Sequence, residues 1–420
     1  MTPVRGYSEM KDSGIPWIGM IPEHWKLERG KNILKLLNRP IRENDDVITC
    51  FRDGEVTLRK NRREEGFTNS MKEIGYQGIE PGDLVVHGMD GFAGAIGISD
   101  SRGKSSPVLN VMDSTQNKKY LMYFLRGMAY KDVFMALSTG IRVRTCDLRW
   151  NKLAIFPFLM PSLNEQNSIA AYLDEKCSKI DEIIASEKAS IEDYKQWKAS
   201  IIYEAVTKGL DPNVEMKDSG IEWIGEVPFD WTIIRVKNLL TEINDRSKTG
   251  LEEPLSMSQV LGIVPSSMIA VANPATSYVG AKIVKPNDLV FNKLKAHLGV
   301  FSVSNYDGLV SPDYAVYRAG ERTDPQFLEY LFKTPNCIQE FKKFITGVGA
   351  GLSRLYTSDL FNIKVALPAI SVQKHIIEYL NDFCSQADAL IEEKQSLITD
   401  LESYKKSLIY EVVTGKRRVC

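Results

Sequence analysis

Two long segments of the chain carry apolar residues at the spacing of one helical face. In residues 166–207 and 373–414 these positions recur at intervals of three, four and seven, without proline or glycine. The first stripe consists of Ile169, Leu173, Cys177, Ile180, Ile184, Ile191, Tyr194 and Ile201. The second consists of Ile376, Leu380, Cys384, Ala387, Ile391, Ile398, Leu401 and Leu408. Gly209 and Gly415 follow as helix stops, so the pattern predicts two long α-helices.

Each predicted helix is too long and its stripe too narrow for a helix of an ordinary globular domain. A helix of this length extends about 63 Å and needs a helical partner, for which the other copy is the obvious choice. We expect an antiparallel pair. Each stripe is interrupted at its midpoint, by Glu187 and by Lys394, and we predict that these charges face each other and fix the register. The alternative is that both side chains turn to solvent because the helices bow apart.

The long helices belong to an internal duplication of the chain. Residues 216–231 repeat residues 10–25 with 11 of 16 positions identical, at an offset of 206. Residues 373–414 repeat residues 166–207 with 17 of 42 positions identical, at an offset of 207. A repeat of fixed period decides the architecture before any single residue is considered. We therefore expect two similar halves related by an approximate two-fold axis.

Outside the long helices, the pattern changes to short apolar runs separated by glycine, asparagine and aspartate. Such runs predict β-hairpins, at 81–86 with 94–99 and at 286–291 with 298–304, each followed by a shorter helix. The predicted fold class is therefore α+β. The predicted boundaries are a first globule at 1–162, a long helix at 163–208, a linker at 209–215, a second globule at 216–369 and a second long helix at 370–416.

Composition and cysteine usage narrow the class of protein. The chain has 420 residues, of which 43% are hydrophobic and 25% charged, as in ordinary soluble proteins. No apolar run approaches the ~20 residues that span a bilayer, and the N-terminus lacks the apolar core of a signal peptide. The six cysteines are scattered without CxxC spacing, which suits a reducing compartment. We expect a cytoplasmic protein without membrane association.

The sequence contains no recognisable catalytic or metal-binding motif. It has no Walker loop, HExxH, GxSxG or Asn/Asp-Pro-Pro-aromatic tetrapeptide, and its four histidines are widely spaced. The glycine-rich segment 347–351 does not open a βαβ unit, which favours a loop over a dinucleotide cradle. We therefore expect a binding protein with no catalytic residue and no metal site of its own.

The charge distribution restricts how such a protein could bind nucleic acid. The net charge is −1, with 24 Lys+Arg against 19 Asp+Glu in residues 1–152 and 15 against 18 in residues 211–362. A general basic excess, the usual signature of nucleic-acid binding, is missing. Contact with DNA would therefore need local clusters, or a partner that supplies many of the phosphate contacts.

Local clusters of basic residues are present in both globules. The candidate DNA contacts are Arg59, Lys60, Arg62, Arg63, Arg142 and Arg144 in the first globule and Lys293, Lys295, His297, Arg354 and Tyr356 in the second. Two Thr-Gly segments that begin 207 residues apart each deliver an arginine. Arginine on such a loop suits bidentate reading of guanine, whereas lysine suits phosphate. The alternative for each cluster is a solvated charged face.

Together these features resemble the DNA-specificity subunits of type I restriction-modification systems. The resemblance rests on the doubled Asp-Ser-Gly-Ile-x-Trp-Ile-Gly-x-x-Pro-x-x-Trp, the Pro-x-x-x-x-Gln before each long helix and the Tyr-Glu-x-Val-Thr at each helix end. It implies two target recognition domains separated by two long antiparallel helices. Each domain would read one half of a split DNA sequence, and helix length would set the gap. The chain departs from the family pattern at Val372, where the first copy has Glu165.

The same resemblance implies partner subunits, which would carry out the catalytic reactions. The expected partners are double-stranded DNA, two methylation subunits docked along the helices, and restriction motor subunits. S-adenosylmethionine, ATP and magnesium would be bound by those subunits and none of them by this chain. Two other interpretations remain open. One is a coiled-coil adaptor that binds proteins without binding DNA, and the other is a self-sufficient nuclease or methyltransferase with an unfamiliar active site.

Replacing Arg142 or Arg354 by alanine is expected to relax specificity in one half of the DNA target only. Loss of a bidentate base contact costs about 1–3 kcal/mol, which competition binding with duplexes altered in one half would measure. An equal loss of affinity on every DNA sequence would show that the arginine holds phosphate instead.

Overall fold

The chain divides into two compact units, and each long helix contributes one half to each unit. The computed structural model describes residues 6–62, 73–136, 147–259, 261–269, 277–344 and 354–419. Unit 1 consists of Met1–Lys188 with Gln395–Cys420, and unit 2 of Ala189–Lys394. Three predicted contact residues, Arg63, Arg142 and Arg144, lie outside the described residues, as does the glycine-rich segment 347–351.

The globular part of unit 1 is built from short antiparallel strands and small helices. Its strands are β1 (Met10–Asp12), β2 (Met20–Pro22), β3 (Lys26–Arg29), β4 (Lys35–Leu36), β5 (Ile48–Cys50), β6 (Val56–Leu58), β7 (Gln77–Ile79), β8 (Leu84–His87), β9 (Ile96–Ile98), β10 (Gly103–Ser105), β11 (Leu109–Asp113) and β12 (Pro157–Met160). Its helices are α1 (Gly30–Ile33), α2 (Lys118–Tyr130), α3 (Val133–Ala136) and α4 (Trp150–Leu153). The first long helix, α5 (Leu163–Lys208), follows.

Unit 2 repeats this order of elements. Its strands are β13 (Met216–Asp218), β14 (Glu226–Pro228), β15 (Thr232–Arg235), β16 (Leu240–Ile243), β17 (Leu255–Ser258), β18 (Gly262–Pro265), β19 (Lys282–Val284), β20 (Leu289–Asn292), β21 (Phe301–Val303), β22 (Gly308–Val310), β23 (Tyr314–Ala319) and β24 (Lys364–Leu367). Its helices are α6 (Pro325–Lys333), α7 (Pro335–Lys343) and α8 (Thr357–Asn362), followed by the second long helix, α9 (Ile370–Val413).

The two units have the same sheet topology. Each has a four-stranded antiparallel sheet, with the order β4-β11-β8-β9 in unit 1 and β16-β23-β20-β21 in unit 2. We call the repeated segments 10–25 and 216–231 the opening motifs. In each unit the strand before the long helix pairs with the strand after the opening motif, β12 with β3 and β24 with β15. The predicted hairpins are β8 with β9 and β20 with β21. The predicted α+β fold with two similar halves is confirmed.

Within each unit, the two long-helix segments run antiparallel. In unit 1, Asp181 contacts Lys405 (2.5 Å), and Tyr172 lies near Arg417, which follows the end of α9. In unit 2, Lys198 contacts Asp388 (2.6 Å), and Nζ of Lys394 lies 5.7 Å from the ring centroid of Tyr194. Residue numbers rise along one segment as they fall along the other, which gives the antiparallel direction.

The predicted apolar stripes are largely buried. Buried members are Ile169, Leu173, Cys177, Ile180, Ile184 and Ile191 on α5, and Ile376, Leu380, Cys384, Ala387, Ile398 and Leu408 on α9. Such a narrow buried stripe is what a coiled-coil-like helix pair requires. Helix α9 ends at Val413 rather than at 416, because Gly415 takes the left-handed conformation with φ of +71°.

A tyrosine near the end of each long helix holds the turn of the opening motif. The hydroxyl of Tyr203 donates a hydrogen bond to the carbonyl of Trp223 at 3.2 Å, and that of Tyr410 donates to the carbonyl of Trp17 at 2.9 Å. The turn itself needs glycine, since Gly220 has a φ of +66°. The repeated Tyr-Glu-x-Val-Thr therefore fastens each helix end to an opening motif, and the start of the chain packs on the end of α9.

A buried glutamine fixes the start of α5 in unit 1. The side chain of Gln166 donates to the carbonyl of Pro161 at 3.0 Å and accepts a hydrogen bond from the backbone N–H of Asn117 at 3.1 Å. Asn117 is the N-cap of α2, and its side chain accepts from the N–H of Tyr120 at 3.0 Å. The glutamine therefore joins the long helix to the first turn of the short one.

The equivalent glutamine makes the same contacts in unit 2. Gln373 donates to the carbonyl of Pro368 at 2.8 Å and accepts from the N–H of Asp324, also at 2.8 Å. Asp324 is the N-cap of α6 and accepts from the N–H of Gln326 at 2.9 Å. The Pro-x-x-x-x-Gln spacing is thus explained by one buried amide that bonds both the prolyl carbonyl and a helix cap. We call Gln166 and Gln373 the glutamine clamps.

Replacing Gln166 by methionine is expected to lower the free energy of unfolding by about 2–4 kcal/mol. The change leaves the buried carbonyl of Pro161 and the half-buried N–H of Asn117 without partners; an unsatisfied buried group costs about 1–3 kcal/mol, and the half-buried one costs less. Urea unfolding followed by circular dichroism measures the loss. Gln196→Met, on an exposed position of α5, is the matched control and should stay within about 0.5 kcal/mol of the parent. Equal stability of the two variants would show that the clamp is not needed.

Candidate nucleic-acid interface

In unit 2, two chain segments bring the five candidate residues to one region. They are Lys293, Lys295 and His297, which follow β20, and Arg354 and Tyr356, which precede α8. The N–H of Leu355 donates to the carbonyl of Lys293 at 3.1 Å, so the two segments lie side by side. Lys295 and Tyr356 are exposed and the other three are half-buried. We call these five residues the second basic surface.

The first of these segments has a counterpart of the same shape in unit 1. Short 3₁₀ turns at Ala296–Leu298 and Gly91–Ala93 follow the first strand of each central hairpin. Each turn ends at a glycine with positive φ, +74° at Gly299 and +95° at Gly94. Because other residues rarely take this conformation, the glycines keep the turn alike while the residues on it differ.

The equivalent turn in unit 1 carries different chemistry. The N–H of Leu148 donates to the carbonyl of Gly88 at 2.8 Å, which matches the bond between Leu355 and Lys293. The positions of Lys293, Lys295 and His297 are therefore taken by Gly88, Asp90 and Phe92. The corresponding surfaces of the two units therefore differ in charge and in side-chain size.

Two arginines from other segments lie beside this turn in unit 1. Arg52 forms an ion pair with Asp90 at 3.0 Å. Arg149 follows Leu148, occupies the place of Tyr356 and keeps 67% of its side chain exposed, 3.6 Å from Asp147. We call Arg52 and Arg149 the first basic surface. Neither arginine was among the contact residues predicted from the sequence. The 207-residue offset between the Thr-Gly segments also relates Leu148 to Leu355, and it would have pointed to Arg149 as the residue that follows.

A histidine supports the turn in unit 1 in its neutral form. The Nδ1 of His87 accepts hydrogen bonds from the N–H groups of Met89 at 3.2 Å and Asp90 at 2.9 Å. Burial lowers the pKa of His87 and Arg52 lowers it further, while Asp90 opposes both. An unprotonated Nδ1 is what these two donors need, so the ring is a structural acceptor rather than a cation for DNA.

A polar cluster lies beneath the second basic surface. The Glu242 carboxylate is 3.5 Å from Nζ of Lys293 and 3.6 Å from Nζ of Lys282. Burial raises the pKa of Glu242, but a hydrogen bond from Thr357 and the charges of Lys293 and Lys282 outweigh it, so the pKa is lowered overall. Burial and the charge of Lys293 lower the pKa of Lys282.

The remaining described candidates of unit 1 are engaged with acidic side chains or a hydroxyl. Arg59 donates to Thr49 Oγ1 at 3.3 Å, and Lys60 is 2.5 Å from Asp46. Arg62 is 2.7 Å from Asp53 and 3.2 Å from Glu55, and it lies 4.2 Å from the centroid of the Phe51 ring. Exposed ion pairs contribute roughly 0–1 kcal/mol, so phosphate can compete for these cations. Their role in DNA contact stays a prediction.

The proposed register pair also stays a prediction. Glu187 and Lys394 are both half-buried, and Nζ of Lys394 lies 5.7 Å from the ring centroid of Tyr194. This cation–π contact helps to hold the Lys394 side chain beside α5 within unit 2.

Each unit also has an open cleft beside its long-helix segments. The cleft of unit 1 has a volume of about 570 Å³, and its lining includes Arg126, Tyr130, Asp181, Lys405 and Lys406. The cleft of unit 2 has a volume of about 410 Å³, and its lining includes Lys198, Tyr330, Lys333, Cys384 and Asp388. Carboxylates and cations are mixed in both linings.

The described residues contain no group of three or more His, Cys, Asp or Glu side chains placed to hold a metal ion. Their cysteines, Cys50, Cys177, Cys337 and Cys384, are buried. Burial raises the pKa of the Cys50 thiol to about 12. None of the described helices is long and apolar enough to cross a membrane.

Known proteins resemble this chain over most of its length. Residues 261–400 match the family model described as type I restriction modification DNA specificity domain. A putative type I restriction enzyme MjaX specificity subunit from Methanocaldococcus jannaschii is 24% identical over 433 residues, which is 96% of each chain. The type I restriction enzyme MjaVIII specificity subunit of the same organism is 25% identical over 338 residues, 76% of each chain. The predicted resemblance to type I specificity subunits is confirmed.

Solved structures share the fold of this chain. A chain from a study of complex assembly and conformational transition of the type I R-M system is 14% identical, with a TM-score of 0.66. The HsdS subunit from Thermoanaerobacter tengcongensis is 15% identical, with a TM-score of 0.52. Each match covers 94% of this chain and 98% of the other. At such identities the likeness establishes the fold alone.

Replacing Arg149 by alanine is expected to weaken discrimination at the first half of the DNA target. A lost base contact would reduce that discrimination by about 1–3 kcal/mol, whereas a lost phosphate contact would lower affinity uniformly and reduce the salt slope by about 1. Binding of the assembled complex at several salt concentrations separates the two. Lys152→Ala, an exposed cation on α4, serves as the control. No change in either quantity would remove Arg149 from the interface.

Proposed function

We propose that this chain is the DNA-reading subunit of a type I restriction-modification complex and has no catalytic site of its own. The globular part of each unit reads one half of a split target in double-stranded DNA. The long helices set the gap between the halves and dock two methylation subunits, which restriction motor subunits then join. S-adenosylmethionine, ATP and magnesium are bound by those partners.

One observation carries this proposal: the two units share a framework but differ at one surface. The glutamine clamps, the tyrosine at each helix end and the glycine-ended turns recur in both units. On that common turn, Lys293, Lys295 and His297 in unit 2 are replaced by uncharged and acidic residues in unit 1. A protein that reads two unlike sequences with one scaffold needs this combination.

The residues at these surfaces have the chemistry that base reading requires. Arginine can form two hydrogen bonds with guanine in the major groove, and lysine neutralises phosphate. Arg354 and Arg149 occupy neighbouring positions on equivalent segments, two residues apart after the 207-residue offset. The near-neutral total charge agrees with a complex in which other subunits supply many of the phosphate contacts.

Exposed apolar residues on the long helices support the docking of two identical partners. Ile183 and Leu390 occupy equivalent positions, and their exposed fractions are 45% and 42%. Trp197 and Tyr404 are also equivalent, at 49% and 48%. Large apolar side chains that recur at matching exposed positions are a sign of protein contact. Because each pair has one member on each long helix, one kind of partner could dock twice.

Inserting the same one-turn segment into the middle of both α5 and α9 is expected to widen the unread gap of the DNA target without changing either half. Genome-wide mapping of methylated adenine, in cells that carry the cognate partner genes, reads out both properties. The same segment inserted into the linker 209–215 is the control, and it should leave the gap unchanged.

Two results would favour the other interpretations. If deletion of this gene leaves the methylation map unaltered, the chain is a protein-binding adaptor rather than a DNA reader. If the purified chain methylates or cuts DNA without partners, it is an enzyme by itself. A change in the half-site sequences after the helix insertion would contradict the proposed role of the helices.

A further inference from the structure

The polar cluster beneath the second basic surface is built around a single carboxylate. Glu242 lies on β16 with 30% of its side chain exposed, and the Lys282 side chain beside it is only 4% exposed. A lysine this deeply buried is rare in proteins unless its charge is paired. Glu242 is the partner that compensates the charge of Lys282, while its second cation, Lys293, reaches the surface.

The same carboxylate is connected to both segments of the second basic surface. Its contact with Lys293 reaches the segment that follows β20. Thr357, which directly follows Tyr356 at the start of α8, lies close enough to lower the pKa of Glu242. The hydroxyl of Thr357 is held in turn by Tyr317, with 3.0 Å between the two oxygens. Movement of Glu242 would therefore disturb both segments together.

Unit 1 forms the same sheet without this cluster. In unit 1, Met112 pairs with Leu84 on one side and with Leu36 on the other. In unit 2, Tyr317 pairs with Leu289 and with Glu242 in the same way. Leu36 is therefore the counterpart of Glu242. The five residues of the cluster are Glu242, Lys282, Lys293, Tyr317 and Thr357. Their counterparts in unit 1 are, in the same order, Leu36, Gln77, Gly88, Met112 and Trp150. None of them is charged. Buried charges are costly, and an apolar pair in their place is often at least as stable. The cluster therefore serves something specific to unit 2 rather than the sheet.

We propose that Glu242 is a positioning residue for reading of the second DNA half-site: it holds Lys293 and the Arg354–Tyr356 segment in one arrangement, with Lys282 as its buried counter-charge. This inference rests on the DNA-reading function proposed above. Glu242 need not touch DNA itself, because its effect passes through the two segments it joins. The equivalent role is absent from unit 1, where the turn carries no cation.

Glu242→Gln is expected to reduce discrimination at the second half-site about tenfold and to leave the first half-site unaffected. The amide has the shape of the carboxylate but cannot balance two ammonium groups. The measurement uses the complete complex with its methylation subunits and three duplexes. One carries the sequence that the parent complex methylates, and the other two have one half replaced. Glu321→Gln, at an exposed position of the same unit, is the matched control and should behave as the parent.

A double variant tests whether a loss of discrimination is caused merely by a loss of folding. Glu242→Leu with Lys282→Gln introduces the residues that unit 1 has at these positions, so the deeply buried charge of Lys282 is removed together with its partner. It is expected to keep the parent melting temperature and to lose second-half discrimination to the same degree. Glu242→Asp, which restores the charge, should recover part of that loss. A purely structural role would instead lower the melting temperature and affect both halves.

Three outcomes would overturn the inference. Full second-half discrimination in both Glu242→Gln and the double variant would show that Glu242 does not position the segments. Equal losses at both half-sites would assign it a general role in stability. If the parent complex itself fails to discriminate any of the three duplexes, the proposed DNA-reading function fails and this inference fails with it. The parent measurement therefore separates the two failures.

Discussion

A buried side-chain amide at the start of each long helix sets the geometry on which the rest of each unit depends. Buried amides must satisfy their hydrogen-bonding groups, and Gln166 does so with the prolyl carbonyl before α5 and the N-cap of α2. Gln373 repeats this in unit 2. The preceding strand is thereby fixed against β3 or β15, and the long helix leaves the globule in one direction. The tyrosines near the helix ends complete the frame.

The two units share this frame and differ in the residues exposed on it. The glycine-ended turn has the same shape in both, yet it carries Lys295 in one unit and Asp90 in the other. The buried Lys282 and its partner Glu242 occur only in unit 2, although burial of an ion pair seldom adds stability by itself. Contacts that build the scaffold have thus been retained in duplicate, and contacts that shape the exposed surface have diverged. That division is the physical basis for assigning recognition to the surface.

Sequence patterns located the regular elements well and the surfaces less well. Helical periodicity placed α5 and α9 within a few residues, because an apolar stripe depends only on spacing along one helix. Alternation in the same way predicted the hairpins formed by β8 with β9 and by β20 with β21. Arg149 and Glu242 were missed because they lie in segments where the two copies share almost no identity. The place of Glu242 became clear only from the strand registers, whereas the matching Leu148 and Leu355 bonds support an alignment of Arg149 that the sequence offset already offered.

By itself, the sequence determined that this protein is an internal duplication with two long helices and that it resembles type I specificity subunits. Near-identity at a constant offset and a 3.6-residue period are properties of the linear chain, so no coordinates were needed. Only the tertiary structure decided that each long helix is divided between two compact units and that Glu242 lies beside Lys282 and Lys293. These contacts join residues distant in sequence. Sheet register and burial bring them together, and neither is encoded by local spacing.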